Sequence, residues 1–308
     1  MKYLLNTRLL SGVKIGCAFV FVGTLLFYLK PARLWRMLLQ IELETICLAI
    51  LLGVIGILVQ WIKWQRLLRL HRPHTTWGDA LHSLLIGFAL GLVSPGRLGE
   101  LGRGIFLGGD RAAWMGLAGV DRISSFVITT GAAWLGLWML YPPGALGLLV
   151  LLVCSGSLVL SAGQKDWKAA DKWRFLGRAW TVLKNTPRTL WADILAWSAL
   201  FNLIFFLQFY LLVRNGGTVA TEAIWGIPLI FGLKAVLPLA FLDLGVREGA
   251  AVLVFSRLEL DPAQAFNAAL LLFFINVLIP GLIGLVLVYR QVAVRWSRKE
   301  ESTQFVAM

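Results

Sequence analysis

Six long apolar runs, at about residues 13–29, 41–62, 113–140, 144–162, 191–213 and 264–289, constrain this chain more than any other feature. A helix needs about 20 apolar residues to cross a hydrocarbon core. No water is available there, so each backbone N–H and C=O must be paired within the segment or across a closed barrel. The runs predict an all-α polytopic membrane protein with about six full transmembrane helices. Composition agrees, because 58% of the 308 residues are hydrophobic and only 15% are charged, against about 25% charged in soluble domains. Polar stretches stay below about thirty residues, short of the fifty or so that a small globular domain needs. Residues 1–308 therefore read as a single transmembrane domain. The net charge of +13 is a poor sign of nucleic-acid binding here, since membrane proteins concentrate Lys and Arg in cytoplasmic loops.

Sorting the cations by position orients the chain. Lys2, Arg8 and Lys14 precede the first run, and Lys63, Arg66, Arg69 and Arg72 follow the second. Lys165, Lys168, Lys172, Arg174, Arg178, Lys184 and Arg188 crowd the loop at 163–190, and Arg290, Arg295, Arg298 and Lys299 begin the tail at 290–308. The positive-inside rule places these, with Arg111 and both termini, in the cytoplasm. Lys30, Arg33, Arg36, Arg214 and Arg257 fall outside, and Arg97, Arg103, Arg122, Lys234 and Arg247 lie within apolar segments. The assignment requires that two further segments, about 77–108 and 223–260, each enter and leave on one face, the first cytoplasmic and the second outer. They read as two oppositely oriented re-entrant helical hairpins, or as pairs of short spans, in an inverted-repeat arrangement of the transporter kind.

The two tips carry the chemistry. In the first, Ser94 and Pro95 read as an N-cap and first helical residue, directing free N–H groups into the membrane interior. Arg97, Glu100 and Arg103, spaced by three, would share one face of an α-helix, with Gly99 between them. In the second, Asp243 reads as an N-cap, followed by Gly245, Arg247 and Glu248. A helix N-terminus beside arginine favours an anion, and guanidinium matches phosphate in two-point fashion. The other reading is structural: Arg97 pairs with Glu100, Asp121 with Arg122 from a neighbouring helix, and Asp243 with Arg247, locking the hairpins. Asp121, Arg122, Asp243 and Lys234 divide evenly between the two.

At these residues the chain resembles the transmembrane region of lysylphosphatidylglycerol synthases, the flippase-like domain of multiple peptide resistance factor proteins, and related membrane proteins. Pro95, Arg97, Gly99, Glu100 and Arg103 match a P-x-R-x-G-E-x-x-R signature, Asp121-Arg122 stands where an E-R pair is common, and Gly245, Arg247, Glu248 and Gly249 meet G-x-G-x-R-E-G in part. The family usually has a Gly pair where this chain has Leu242-Asp243. The resemblance implies a prokaryotic inner-membrane location. It also implies that members fused to a soluble aminoacyl-phospholipid synthase make a cationic lipid and flip it between leaflets. This chain carries no such soluble domain, so no enzymatic activity and no cofactor are expected.

The expected function is lipid translocation, with the phosphate-bearing headgroup of an anionic, zwitterionic or polyprenyl-phosphate-type lipid held between the tips by Arg97, Arg103 and Arg247, and Glu100 and Glu248 orienting them. The alternative is a non-transporting scaffold or accessory subunit for a lipid-modifying or glycosyl-transferring enzyme; a homo-oligomer fits either. His71, His74 and His82 lie outside both tips, and Cys17, Cys47 and Cys154 are far apart in apolar runs, so neither a metal site nor a disulfide framework is expected. Trp35, Trp61, Trp64, Trp77, Trp180 and Trp191 fit an interfacial aromatic belt.

Overall fold

The computed structural model describes residues 30–141, 171–215, 217, 220–236 and 245–291. The runs at 13–29 and 144–162, Asp243, and nearly all of the tail lie outside the described residues. What is described is helical: α1 (Pro31–Leu39), α2 (Leu43–His71), α3 (Trp77–Leu92), a 3-10 segment (Pro95–Leu107), α4 (Arg111–Leu140), α5 (Asp171–Asn185), α6 (Arg188–Arg214), α7 (Thr221–Val236), α8 (Val246–Arg257) and α9, which starts at Pro262 and continues through a π-helical turn at Phe274–Leu278 to Gln291. Four of these, α2, α4, α6 and α9, are long and apolar enough to cross a membrane. They coincide with the four expected spans that fall among the described residues.

Helix starts follow local chemistry. Thr76 Oγ1 accepts the Asp79 N–H and Asp79 returns to the Thr76 N–H, a reciprocal cap that opens α3. Asp110 and Asp261 cap α4 and α9 in one direction only, each accepting the N–H two residues on at 2.9 Å. The long helices leave Leu51, Val54 and Leu58 of α2, Leu203 of α6, and Leu282 and Val286 of α9 exposed, an apolar surface that suits lipid and not water.

α2 and α6 run antiparallel. Arg66 pairs with Asp193 at one end; at the other, Asn215 accepts the Glu42 N–H and donates to the Gln40 carbonyl. The segment after α2 folds back on itself. Glu100 lies against Gly91 and Arg103 against Gly87, so the 3-10 segment descends beside α3. Its far end returns to α2, where Arg72 donates to the Leu107 carbonyl at 2.8 Å, and the Trp61 indole meets the Trp77 carbonyl near its start. The segment after α6 also returns: Gly226 of α7 faces Val254 of α8 and Leu258 just beyond its end. One end is tied to the start of α2 through Asn215 and Glu42, and the other to α1 through the Arg33–Asp261 pair.

One order thus occurs twice among the described residues: long helix, short helix, returning segment, Asp-capped long helix. The halves also trade contacts. Gly136 of α4 packs on the Trp225 carbonyl of α7, and Gly284 of α9 packs on the Leu85 carbonyl of α3, each so closely that a Cβ would run into the oxygen. Small residues permit such approach where apolar burial cannot drive helices together. One core cluster lies mainly in each half, with Trp64, Leu68, Phe88 and Leu117 in one and Phe209, Ile227, Phe255 and Leu272 in the other; Ile194 of α6 joins the first and Ala49 of α2 the second.

One sequence reading needs correction. The tip at 95–107 is a 3-10 segment, not an α-helix, a form in which runs beyond a few residues are uncommon. Within the basic stretch 163–190, α5 packs Ala179 and Val182 on Gly116 of α4 and keeps Trp180 exposed.

Candidate functional site

The first tip is bent by one residue. Arg97 has φ 57°, in the left-handed region where a side chain is costly, so its guanidinium and carbonyl are turned away from a regular helical course. Ser94 holds the bend by accepting the Gly99 N–H on its hydroxyl at 2.7 Å and the Arg97 N–H on its carbonyl. Those donors are engaged, contrary to the expectation that the first-turn N–H groups stand free. Gly99 has no room for a side chain, because the Leu90 carbonyl sits where its Cβ would be.

From this tip the charges divide into two triads. Glu100 is gripped by Arg97 and Arg122: the Arg97 Nε lies 2.5 Å from Oε1, and Arg122 Nη2 donates to Oε2 at 2.9 Å and to the Arg97 carbonyl at 2.5 Å. Asp121 is gripped by Lys63 and Arg103, each 2.6 Å from a different carboxylate oxygen. The Arg103 guanidinium also stacks 3.7 Å above the Trp64 ring, whose N–H donates to Ser83. Arg97, Glu100 and Arg103 therefore do not share one face, and Asp121 pairs with Lys63 and Arg103 rather than with Arg122.

Lys63 is the residue that charge sorting misplaced. It was expected in the cytoplasm after a span ending near 62, but α2 continues to His71 and Lys63 is 2% exposed. Its ammonium reaches Asp121, Ser125 and Ser198. A lone lysine between two tryptophans on an unbroken helix is the signal that could have found it.

A cavity of about 430 Å³ opens beside the triads. Lys63, Arg97, Glu100, Asp121 and Arg122 form its charged end, with Lys234 of α7 facing from another wall. Ser125, Thr129, Asn202 and Asn276 add polar groups, and Phe126, Phe201, Phe205 and Phe231 make the rest aromatic. The π-helical turn in α9 places Asn276 here, where it donates to Gln208 at 2.9 Å; such turns often sit at functional sites. Asn202, Asn276 and Gln60 carried no signal in sequence beyond being polar within apolar runs.

The second tip is arranged differently. Gly245, at φ 93°, begins α8 in place of the expected Asp243, and its N–H donates to Glu248 at 2.7 Å. Arg247 pairs with Glu248 at 2.7 Å, and both are buried. The Arg247 guanidinium lies over Phe273, and its Nε and Nη1 have no hydrogen-bond partner among the described residues. Neither Arg247 nor Glu248 lines the cavity, and nor does Arg103, which stands behind Asp121. Phe273 also packs with Leu92 and Val277, so this α9 residue stands between the end of α3 and Arg247.

The family described as lysylphosphatidylglycerol synthase TM region has a sequence profile that matches residues 13–284. The chain belongs to that family. It is a multi-pass membrane protein, and the match to the lysylphosphatidylglycerol synthase TM region takes in both Arg-Glu tips and every residue that lines the cavity. No curated protein and no solved structure matches the chain. Within this lysylphosphatidylglycerol synthase TM region, the site offers fixed positive charge beside an aromatic wall. Such a surface can hold an anionic group by charge and two-point hydrogen bonds while accepting an attached apolar chain.

Proposed function

We propose that this protein translocates a phosphate-bearing lipid between leaflets and is not an enzyme. The observation that carries the reading is the cavity in which Lys63, Arg97, Arg122 and Lys234 converge beside Phe201, Phe205 and Phe231. Ionisable groups at membrane depth cost at least a few kcal/mol each and mark pathways and binding sites. Arg97 and Arg122 contact the headgroup phosphate, Glu100 and Asp121 fix the cations, and the acyl or prenyl chains remain among the aromatic rings and the bilayer. Arg103, Arg247 and Glu248 hold the frame.

On this reading segments 77–108 and 223–260 re-enter the bilayer from opposite faces as an inverted repeat. The doubled element order and the two glycine contacts between halves support it. Rocking one half against the other alternates access, with both termini and the basic stretch at 163–190 in the cytoplasm of a prokaryotic cell. The test is a flip assay in proteoliposomes with fluorescent phospholipids. Arg97→Ala with Arg122→Ala is expected to abolish protein-dependent flipping; wild-type rates in that folded double variant would sink the proposal.

A second reading, a scaffold or accessory subunit for a lipid-modifying enzyme, is favoured by the Arg247–Glu248 pair, whose burial away from the cavity is what a purely structural tip would have. It predicts co-purification with one enzyme in fixed proportion and full function after paired neutralisation of the cavity charges.

A further inference from the structure

We propose that a neutral subsite beside the triads reads the hydroxyl groups of a polyol headgroup, glycerol or a sugar, carried on the lipid phosphate; this rests on the lipid-binding reading above. The uncharged polar residues of the cavity step away from the charges in one direction. On α4, Ser125 and Thr129 lie one and two turns beyond Arg122, about 4.5 and about 10 Å along the axis. Gln60 lies one turn before Lys63 on α2, and Asn202 lies one turn beyond Ser198, the α6 residue that holds Lys63. Asn276 of α9 is farthest: a Cβ added to Gly53, two turns before Gln60, would meet its Oδ1 at 3.3 Å. A headgroup extending from Arg122 therefore passes neutral side chains from four helices.

What each of these side chains has left to offer decides the class of ligand. The Ala49 carbonyl accepts from Gln208 at 2.7 Å, which leaves the Gln208 oxygen to accept from Asn276. Asn276 uses both its N–H groups, on that oxygen and on the Leu272 carbonyl, so its Oδ1 remains as an acceptor. Asn202 accepts the Thr129 hydroxyl at 2.7 Å and donates to the Ser198 carbonyl, which leaves one N–H. Ser125 accepts from Lys63 at 3.2 Å and keeps its own hydrogen. Gln60 makes no hydrogen bond among the described residues, so its amide offers both donors and an acceptor. Donors and acceptors are thus uncommitted together, and a hydroxyl uses both, whereas a phosphate only accepts, an ammonium only donates and a quaternary ammonium does neither. Because these groups are neutral, they select between lipids of equal charge. A site built to pair a hydroxyl rejects the analogue that lacks it, since its own polar groups then go unpaired.

Isothermal titration of the detergent-solubilised full chain compares short-chain phosphatidylglycerol with short-chain phosphatidylpropanol, which has the same charge and no headgroup hydroxyl. Phosphatidylglycerol is expected to bind about tenfold tighter. Gln60→Leu, which breaks no hydrogen bond among the described residues, should close most of that gap and leave the unfolding midpoint in place; Asn276→Leu should narrow it from another helix. Equal affinity of the wild-type chain for the two lipids overturns the inference, as does a gap that survives both variants. Free glycerol competing as well as phosphatidylglycerol also overturns it, assigning the subsite to a free polyol. Hydroxyl-selective binding in a protein that flips neither lipid supports the inference and removes the translocator reading instead, whereas flipping of both lipids with equal affinity removes the inference alone.

Discussion

The two tips pair Arg with Glu beside glycine, yet Arg97 and Glu100 face open space whereas Arg247 and Glu248 are buried. At the first, Glu100 is partly accessible and shared between Arg97 and Arg122 on the cavity wall. At the second, Glu248 spans its own helix start and Arg247, and both are out of reach of the cavity. Similar residues therefore stand in different settings: at the first tip the pair lines an open cavity, and at the second it is buried and caps its own helix. A motif shared by two segments identifies chemistry and leaves its use undecided.

The largest effect expected from testing this contrast is at the second tip. Glu248→Ala leaves Arg247 buried without its carboxylate and should cost about 3–5 kcal/mol, seen as a lower midpoint of thermal unfolding in detergent. Arg247→Met with Glu248→Gln should recover most of that loss and retain flipping; recovered folding with lost flipping would break the contrast and return the second tip to the transport path. Asp121→Asn comes next, at about 3 kcal/mol, because it strips the shared counterion from Lys63 and Arg103. Lys63→Met added to it should restore part of the stability.

Gly136→Ala and Gly284→Ala probe the halves as a pair. Each puts a methyl group against a carbonyl oxygen across the half-to-half contact and should cost about 2 kcal/mol, and matching losses would sharpen the repeat. Smallest is Glu100→Gln, at about 1 kcal/mol or less, since its partners remain partly solvated. An unfolding midpoint displaced as far as that of Glu248→Ala would mean that the first tip is also a structural lock.

Much of the architecture was legible because its cause is local. Apolar length marked 41–62, 113–140, 191–213 and 264–289, and helices occupy all four. Prolines, glycines and charges marked 77–108 and 223–260 as broken, and both fold back. The same local logic failed at Lys63. A cation at the end of an apolar run looks like an interfacial anchor until a carboxylate from another helix is seen beside it. It failed again for Arg103 and Arg247, where spacing along the chain could not tell which side of the tip faces a neighbour. Asn276 depends on a π-helical turn that no residue pattern announces.

By itself, the sequence determined that this protein is helical and membrane-embedded, that two segments break the span pattern, and that those breaks hold arginine and glutamate. These follow from hydrocarbon thickness and backbone pairing, which act on each segment separately. Only the tertiary structure decided which charges meet: Asp121 drawn to Lys63 and Arg103, Glu100 to Arg97 and Arg122, and Arg247 buried beside Glu248. Ion pairs form across a few ångströms of space, and residues 63, 103 and 121 reach that distance only after α2, the first tip and α4 have packed.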